Sequence, residues 1–287
     1  MKITIIGLGL IGGSIARSLK RSGDYFITAI DNSEQVLLDA ISAGVIDRKA
    51  SVYDLSDSDV VYLCVYPDAA LEFTEKNKAL FGKNTVVTDV CGIKTYIYPK
   101  LKSIADEMGF TYIGSHPMAG KEQSGFTASD AGLFFGASYI IVDDGSDKRA
   151  RDVLEQLALT MGFGKIVYAT SEEHDKAIAY TSQLPHVLAC AYVMSPMCEK
   201  HGGFSAGSYR DVSRVANINA ALWTELFISN REALVSEINT LISNMENIKE
   251  AIEKQSTENL SALLTEAGDN KRKYGRFAGG MINGNQN

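Results

Sequence analysis

Three kinds of residue in this chain suit chemistry by type and setting: lone histidines, one arginine and a run of glycines. His116 lies in His116-Pro117-Met118-Ala119-Gly120, just after a predicted strand. A neutral imidazole near pH 7 can take the proton of a hydroxyl while hydride leaves the carbon that bears it. A surface or turn position is the ordinary alternative for a lone loop histidine, and the residue alone leaves both open. Arg214, in Tyr209-Arg-Asp-Val-Ser-Arg214, is either a solvated helix charge or a fork for a carboxylate. Gln183 and His186 stand three apart on a predicted helix and share a face, as a polar stripe between domains would. His174-Asp175, at a helix start, reads as a cap combined with an interdomain pair, and Trp223 reads as core.

The glycines suggest what such groups would work with. Lys2-Ile-Thr-Ile-Ile6 is a β-branched run leading into Gly7-Leu8-Gly9-Leu10-Ile11-Gly12, and a helical pattern follows with Ile15, Ala16 and Leu19 apolar and Gly23 as its stop. Strand, Gly-x-Gly-x-x-Gly and helix make a dinucleotide fingerprint: a tight turn, close approach of the pyrophosphate, and close packing of helix on strand. Residues 25–30 read as a second strand ending in Asp31. An acidic residue about 20 positions beyond the glycines takes the ribose hydroxyls. With Leu8, Leu10, Ile11 and Val65 at the end of the third strand, these residues form the candidate cofactor site. NAD is expected over NADP, because Asp31 would repel a 2′-phosphate and neither Asn32 nor Ser33 supplies a cation.

Positioning these groups requires two layers of organisation. Strands at residues 59–65, 85–89, 110–115, 138–143 and 165–168 alternate with helices at 34–43, 68–81, about 95–108 and 148–161. Such alternation implies a parallel, doubly wound sheet of Rossmann type, with ligands beyond the carboxyl ends of its strands. From residue 171 the strand signal stops, which divides the chain into a dinucleotide-binding domain, 1–168, and an all-helical domain, 169–287. The helical part predicts one helix over 171–198 bent at Pro185, a glycine-rich loop at 201–208, and a long helix over 220–255. In that last helix Leu234, Ile238, Leu241, Met245, Ile248 and Ile252 step by 4, 3, 4, 3, 4, a seam suited either to a second copy or to a helix of the same chain. The tail beyond Gly275 reads as disordered.

Bulk properties exclude several classes. The 287 residues are 45% apolar and 22% charged, with net charge −7. No basic stripe suits nucleic acid, and no apolar run reaches the ~20 residues of a membrane span. The glycine fingerprint directly after Lys2 and its strand argues against a cleaved leader. Cys64, Cys91, Cys190 and Cys198 form no CxxC pair and read as free thiols of a reducing cytoplasm. The four histidines form no ligand pair such as HExxH, so no metal is expected.

Taken together, the glycine run, Thr88-Asp89-Val90, His116-Pro-Met-Ala-Gly120, Glu122, His174-Asp175, Leu184-Pro-His186, Tyr209 to Arg214 and Trp223 resemble the prephenate dehydrogenase family, which includes arogenate and cyclohexadienyl dehydrogenases. The resemblance extends from Lys2 to about Lys273. It implies an NAD-dependent oxidative decarboxylation of prephenate, with arogenate as the alternative substrate. His116 would act as catalytic base, Arg214 would bind the side-chain carboxylate, and His186 and Gln183 would shape the substrate pocket. The heptad-like seam from Leu234 to Ile252 motivates the expectation of a homodimer through the helical domain. Two positions depart from the family pattern. Gly92 stands where a serine hydroxyl is frequent, and Gln183 where a histidine is frequent, which bears on substrate preference. A β-hydroxyacid dehydrogenase shares the two-part build, but its usual lysine motif in the helical domain has no match here.

Overall fold

The computed structural model describes residues 1–142, 144–145 and 147–275. Asp143, expected to end a strand, and the tail beyond Gly275 lie outside the described residues. Met1–Leu234 and the chain from Val235 onward form two compact units.

The first unit is built on six parallel strands: β1 (Lys2–Ile6), β2 (Phe26–Ile30), β3 (Arg48–Lys49), β4 (Val60–Leu63), β5 (Val86–Asp89) and β6 (Thr111–Tyr112), in the order β3-β2-β1-β4-β5-β6. Helices α1 (Leu10–Ser22), α2 (Glu34–Ser42), α3 (Pro67–Asn77) and α4 (Tyr98–Met108) make the crossovers. Period-2 alternation buries both faces of the sheet. On β4, Val60 and Tyr62 join one core with Ile3, Ile15 and Ile27, while Val61 and Leu63 join another with Val87, Leu101 and Phe110. The doubly wound fold read from the sequence is therefore present, with the two-residue β3 added at its edge.

One predicted strand proves to be two. Residues 110–115 do not run straight through: β6 stays in the parallel sheet, and after Ile113 the chain enters a second sheet as β7 (Gly114–Pro117). There β7 pairs antiparallel with β8 (Ser138–Val142), which pairs parallel with β9 (Lys165–Ala169), and α5 (Lys148–Met161) crosses between β8 and β9. His116 thus sits within a strand opposite Ile140, rather than in a free loop. Its backbone is fixed by a ladder, which a histidine acting on a substrate needs more than a turn residue does.

The helical region also differs from the sequence reading in two places. The helix begun at Ser171 is α6 (Ser171–Ile178), followed by a π-helical turn, Ala179–Gln183, and α7 (Leu184–Val193). The irregularity precedes Pro185: Leu184 N–H bonds to Ala179 O, five residues back, and Pro185 then occupies the first turn of α7, where its missing N–H costs little. After α8 (Gly207–Ser213), the long predicted helix is two, α9 (Ala220–Ser229) and α10 (Arg231–Glu253). The break is Asn230, a buried amide that donates to Asp175 O at 3.0 Å and Gln183 Oε1 at 2.7 Å. In the second unit, α10 continues and is followed by α11 (Thr257–Tyr274) after a turn in which Gln255 takes φ 51°. Along the α10 seam Leu234 is buried, whereas Met245 and Ile252 are 55% and 57% exposed among the described residues.

Candidate functional site

A cavity of about 640 Å³ opens beyond the carboxyl ends of β1, β4 and β5. That is the size range of small-molecule sites. Its wall holds Gly9, Leu10 and Ile11 from the glycine turn, Val65 after β4, Gly92 after β5, and His116 on β7. Gln183, His186, Arg214 and Trp223 come from the helical part of the same unit. Of the residues read as cofactor- or substrate-binding, those named here therefore converge on one cavity.

The cofactor end is shaped by backbone geometry. Gly7 takes φ +91°, and a Cβ on Gly12 would stand 2.0 Å from Gly7 O, so neither position accepts a side chain without moving the main chain. Around Gly9 a Cβ would meet nothing within 4 Å, which leaves space against the backbone. Helix α1 has no side-chain cap at its N-terminus. Its first N–H groups and positive dipole end can accept an anion such as a pyrophosphate. Asp31 takes Leu8 N–H on Oδ2 at 2.7 Å and Ser33 N–H on Oδ1 at 2.8 Å, tying the end of β2 to the glycine turn. Leu8 is itself buried with its N–H spent on Asp31, so it acts as the anchor of the turn. These features fit a dinucleotide.

His116 is held by a chain of bonds. Its Nδ1 lies 2.9 Å from His174 Nε2, and His174 Nδ1 lies 2.6 Å from Asp175 Oδ1. Asp175 also accepts the main-chain N–H of Lys94 and of Thr95, each at 2.8 Å, and the Thr95 hydroxyl at 2.5 Å. The reading of His174-Asp175 as a helix cap is thus corrected: Thr170 and Glu173 form the capping box of α6, and His174 and Asp175 turn inward. Burial, with smaller effects from His174 and Lys94, holds the His116 imidazole well below the usual histidine range. Burial likewise lowers His174, outweighing the opposing bond to Asp175. Both rings are therefore neutral near pH 7.

Beneath them lies a buried ionic layer that composition gives no hint of. The Lys94 ammonium pairs with Asp89 and donates to Ser115 O at 2.6 Å, both side chains of the pair being fully buried. Asp89 further accepts Tyr112 OH at 2.6 Å and Cys91 N–H at 2.9 Å. This layer fixes the loop carrying Gly92, where an added Cβ would lie 3.8 Å from His116 Nε2. Burial pushes the thiols of Cys64 and Cys91 upward, so both remain neutral.

The opposite wall is aromatic and charged. His186 donates from Nδ1 to Ser182 O at 2.7 Å and stacks on Trp223 with ring centroids 3.7 Å apart. Trp223 is half-buried in the cavity wall rather than in the core expected from the sequence. Burial lowers the His186 pKa, and Arg214 adds to the effect. Arg214, just after α8, reaches the cavity and pairs through Nη1 with Glu122, which follows β7. Gln183 is buried with both ends of its amide engaged, Nε2 on Leu226 O at 3.3 Å and Oε1 under Asn230. It supports the wall through these bonds.

The fold and this cavity are those of a nucleotide-dependent dehydrogenase of Rossmann type. The chain belongs to the prephenate dehydrogenase family: the model of the family's nucleotide-binding domain matches residues 15–168, and that of its dimerization domain matches residues 170–266. A prephenate dehydrogenase of Lactococcus lactis subsp. cremoris is 29% identical over 274 residues, covering 92% of this chain and 75% of that protein. A cyclohexadienyl dehydrogenase of Zymomonas mobilis is 31% identical over 276 residues, covering 90% of each. Among solved structures, prephenate dehydrogenase from A. aeolicus in complex with hydroxyphenyl propionate and NAD+ has a TM-score of 0.85 at 27% identity, covering 95% of this chain and 98% of that one.

Proposed function

We propose that this chain is an NAD-dependent prephenate dehydrogenase that oxidises and decarboxylates prephenate to 4-hydroxyphenylpyruvate. The observation that carries the reading is His116, a neutral ring in the cavity wall that also holds the glycine turn and Arg214. Gly9 and the start of α1 would hold the pyrophosphate of an oxidised nicotinamide dinucleotide, Asp31 would take its adenosine ribose, and the group would supply the hydride acceptor. His116 accepts the proton of the ring hydroxyl through Nε2 as the carbinol carbon is oxidised. Arg214 holds the side-chain carboxylate, exchanging Glu122 for substrate. His186 and Trp223 form a flat wall for the ring. Once the carbinol carbon is a ketone, the dienone accepts the electron pair released by the departing ring carboxylate, and aromatisation drives loss of carbon dioxide.

Glu122 favours a second reading. It is an acidic side chain of the cavity beside Arg214, and it would suit the ammonium of arogenate. Formation of reduced cofactor with prephenate, arogenate and a simple hydroxyacid, each with NAD and NADP, tests both. Highest kcat/KM with prephenate and NAD is expected. Preference for arogenate selects the second reading, and turnover of the hydroxyacid alone removes both.

In our reading the functional division lies at residue 168, and the helical part makes a homodimer. The matched dimerization domain and the exposed Met245 and Ile252 of the α10 seam support this. A monomer by sedimentation at micromolar concentration would refute it. The four free cysteines fit a reducing cytoplasm.

A further inference from the structure

We infer that His174 and Asp175 form a positioning pair that dictates which nitrogen of His116 carries the proton, and so make Nε2 the base. The inference follows from hydrogen-bond bookkeeping, and it rests on the proposed function only in taking His116 as the group that receives a proton. Asp175 accepts from two main-chain N–H groups, which can only donate, so its side chain is oriented before any histidine is considered. Its remaining partner on Oδ1 is His174 Nδ1 at 2.6 Å. A carboxylate only accepts, so His174 carries its proton on Nδ1. In a neutral ring Nε2 is then a bare lone pair. The 2.9 Å contact between that atom and His116 Nδ1 needs one hydrogen, and His116 must supply it. In neutral His116 the lone pair is left on Nε2, the atom beside Gly92 at the cavity.

The same chain receives charge during reaction. When Nε2 takes the substrate proton, His116 becomes an imidazolium whose Nδ1–H already points at His174 Nε2. Transfer of that second proton would leave His116 neutral and His174 cationic against Asp175. No heavy atom needs to move and no water is required. The other charged groups facing the pair are Lys94 and Asp89, which are spent on each other. Asp175 and His174 are 2% and 1% exposed, so solvent does not compete for these bonds.

The test uses the full-length protein with its histidines labelled in carbon-13 and nitrogen-15, without substrate. Nitrogen shifts and long-range proton couplings report the tautomer of each ring. In the wild type near neutral pH, His116 should be protonated on Nδ1 and bare on Nε2. His174→Gln keeps an acceptor for His116 Nδ1–H and should keep that tautomer. His174→Leu removes the acceptor and should give a mixture or the reversed tautomer, with kcat at least about 10²-fold lower, the worth of a positioned base, and KM values little changed. If His174→Leu does not fold, the tautomers of the wild type and of His174→Gln decide. A wild-type His116 protonated on Nε2, or a folded His174→Leu with unchanged tautomer and kcat, overturns the inference. Because the tautomer is read without substrate, a wrong assignment of substrate leaves this result intact, and the two failures are distinguishable.

Discussion

Replacing His116 by Asn tests the proposed chemistry most directly. The Asn side-chain amide reaches about where Nδ1 stands, so it can still donate to His174 Nε2, the partner now at 2.9 Å. Nothing replaces Nε2. The bond network and the β7 ladder opposite Ile140 are therefore kept, and the fold should survive with little loss of stability. What disappears is the acceptor for the hydroxyl proton. A positioned general base is worth about 10²–10⁴ in rate, or about 2.7–5.5 kcal/mol of barrier. In steady-state assays of reduced nicotinamide, kcat should fall by that factor, while KM for substrate changes little because Arg214 remains. The pH profile gives a second check. Burial holds the wild-type His116 well below the usual histidine range, so its acid limb should lie below about 6.5 and be absent from the variant. A folded His116→Asn protein with near-normal kcat and its acid limb in place would refute the reasoning. His186, whose Nδ1 is committed to Ser182 O, would then present the next free Nε2.

Arg214→Lys replaces a planar fork by a single ammonium and should raise the substrate KM by about 10- to 150-fold with a smaller effect on kcat; an unchanged KM would remove Arg214 from the substrate. Gly12→Ala places a Cβ against the Gly7 carbonyl, a main-chain atom that no rotamer change relieves, and should cost about 3 kcal/mol or more along with nucleotide affinity, as read by thermal melts with and without NAD. Stability should also depend on pH with a definite sign. His116, His174 and His186 are all lowered in the folded protein, so below about 6.5 the unfolded chain binds protons that the folded one refuses, and stability is lost as pH falls from there toward the folded values. Denaturation midpoints that stay flat across that interval would contradict the neutral assignment of these rings.

The sequence by itself determined the elements whose causes are local. A β-branched run, three glycines at fixed spacing and a helix closed by Gly23 define the β1–turn–α1 unit, because tight turns and helix ends depend on neighbouring residues. The continuous apolar run that makes β4 a buried strand is likewise readable within a few residues. Tertiary structure decided what distant side chains do. His116 and His174 are 58 residues apart and Thr95 and Asp175 are 80 apart, so no periodicity could pair them. His174-Asp175 had the right types for a helix start, yet Thr170 and Glu173 took the cap, which left both free to turn inward. The split of residues 110–115 between two sheets, and the break at Asn230 in an otherwise continuous helical pattern, have the same origin. Each is fixed by partners across the fold, the β8 ladder in one case and Asp175 with Gln183 in the other. Local propensity is silent there because a buried polar group must satisfy its hydrogen bonds wherever the fold offers a partner.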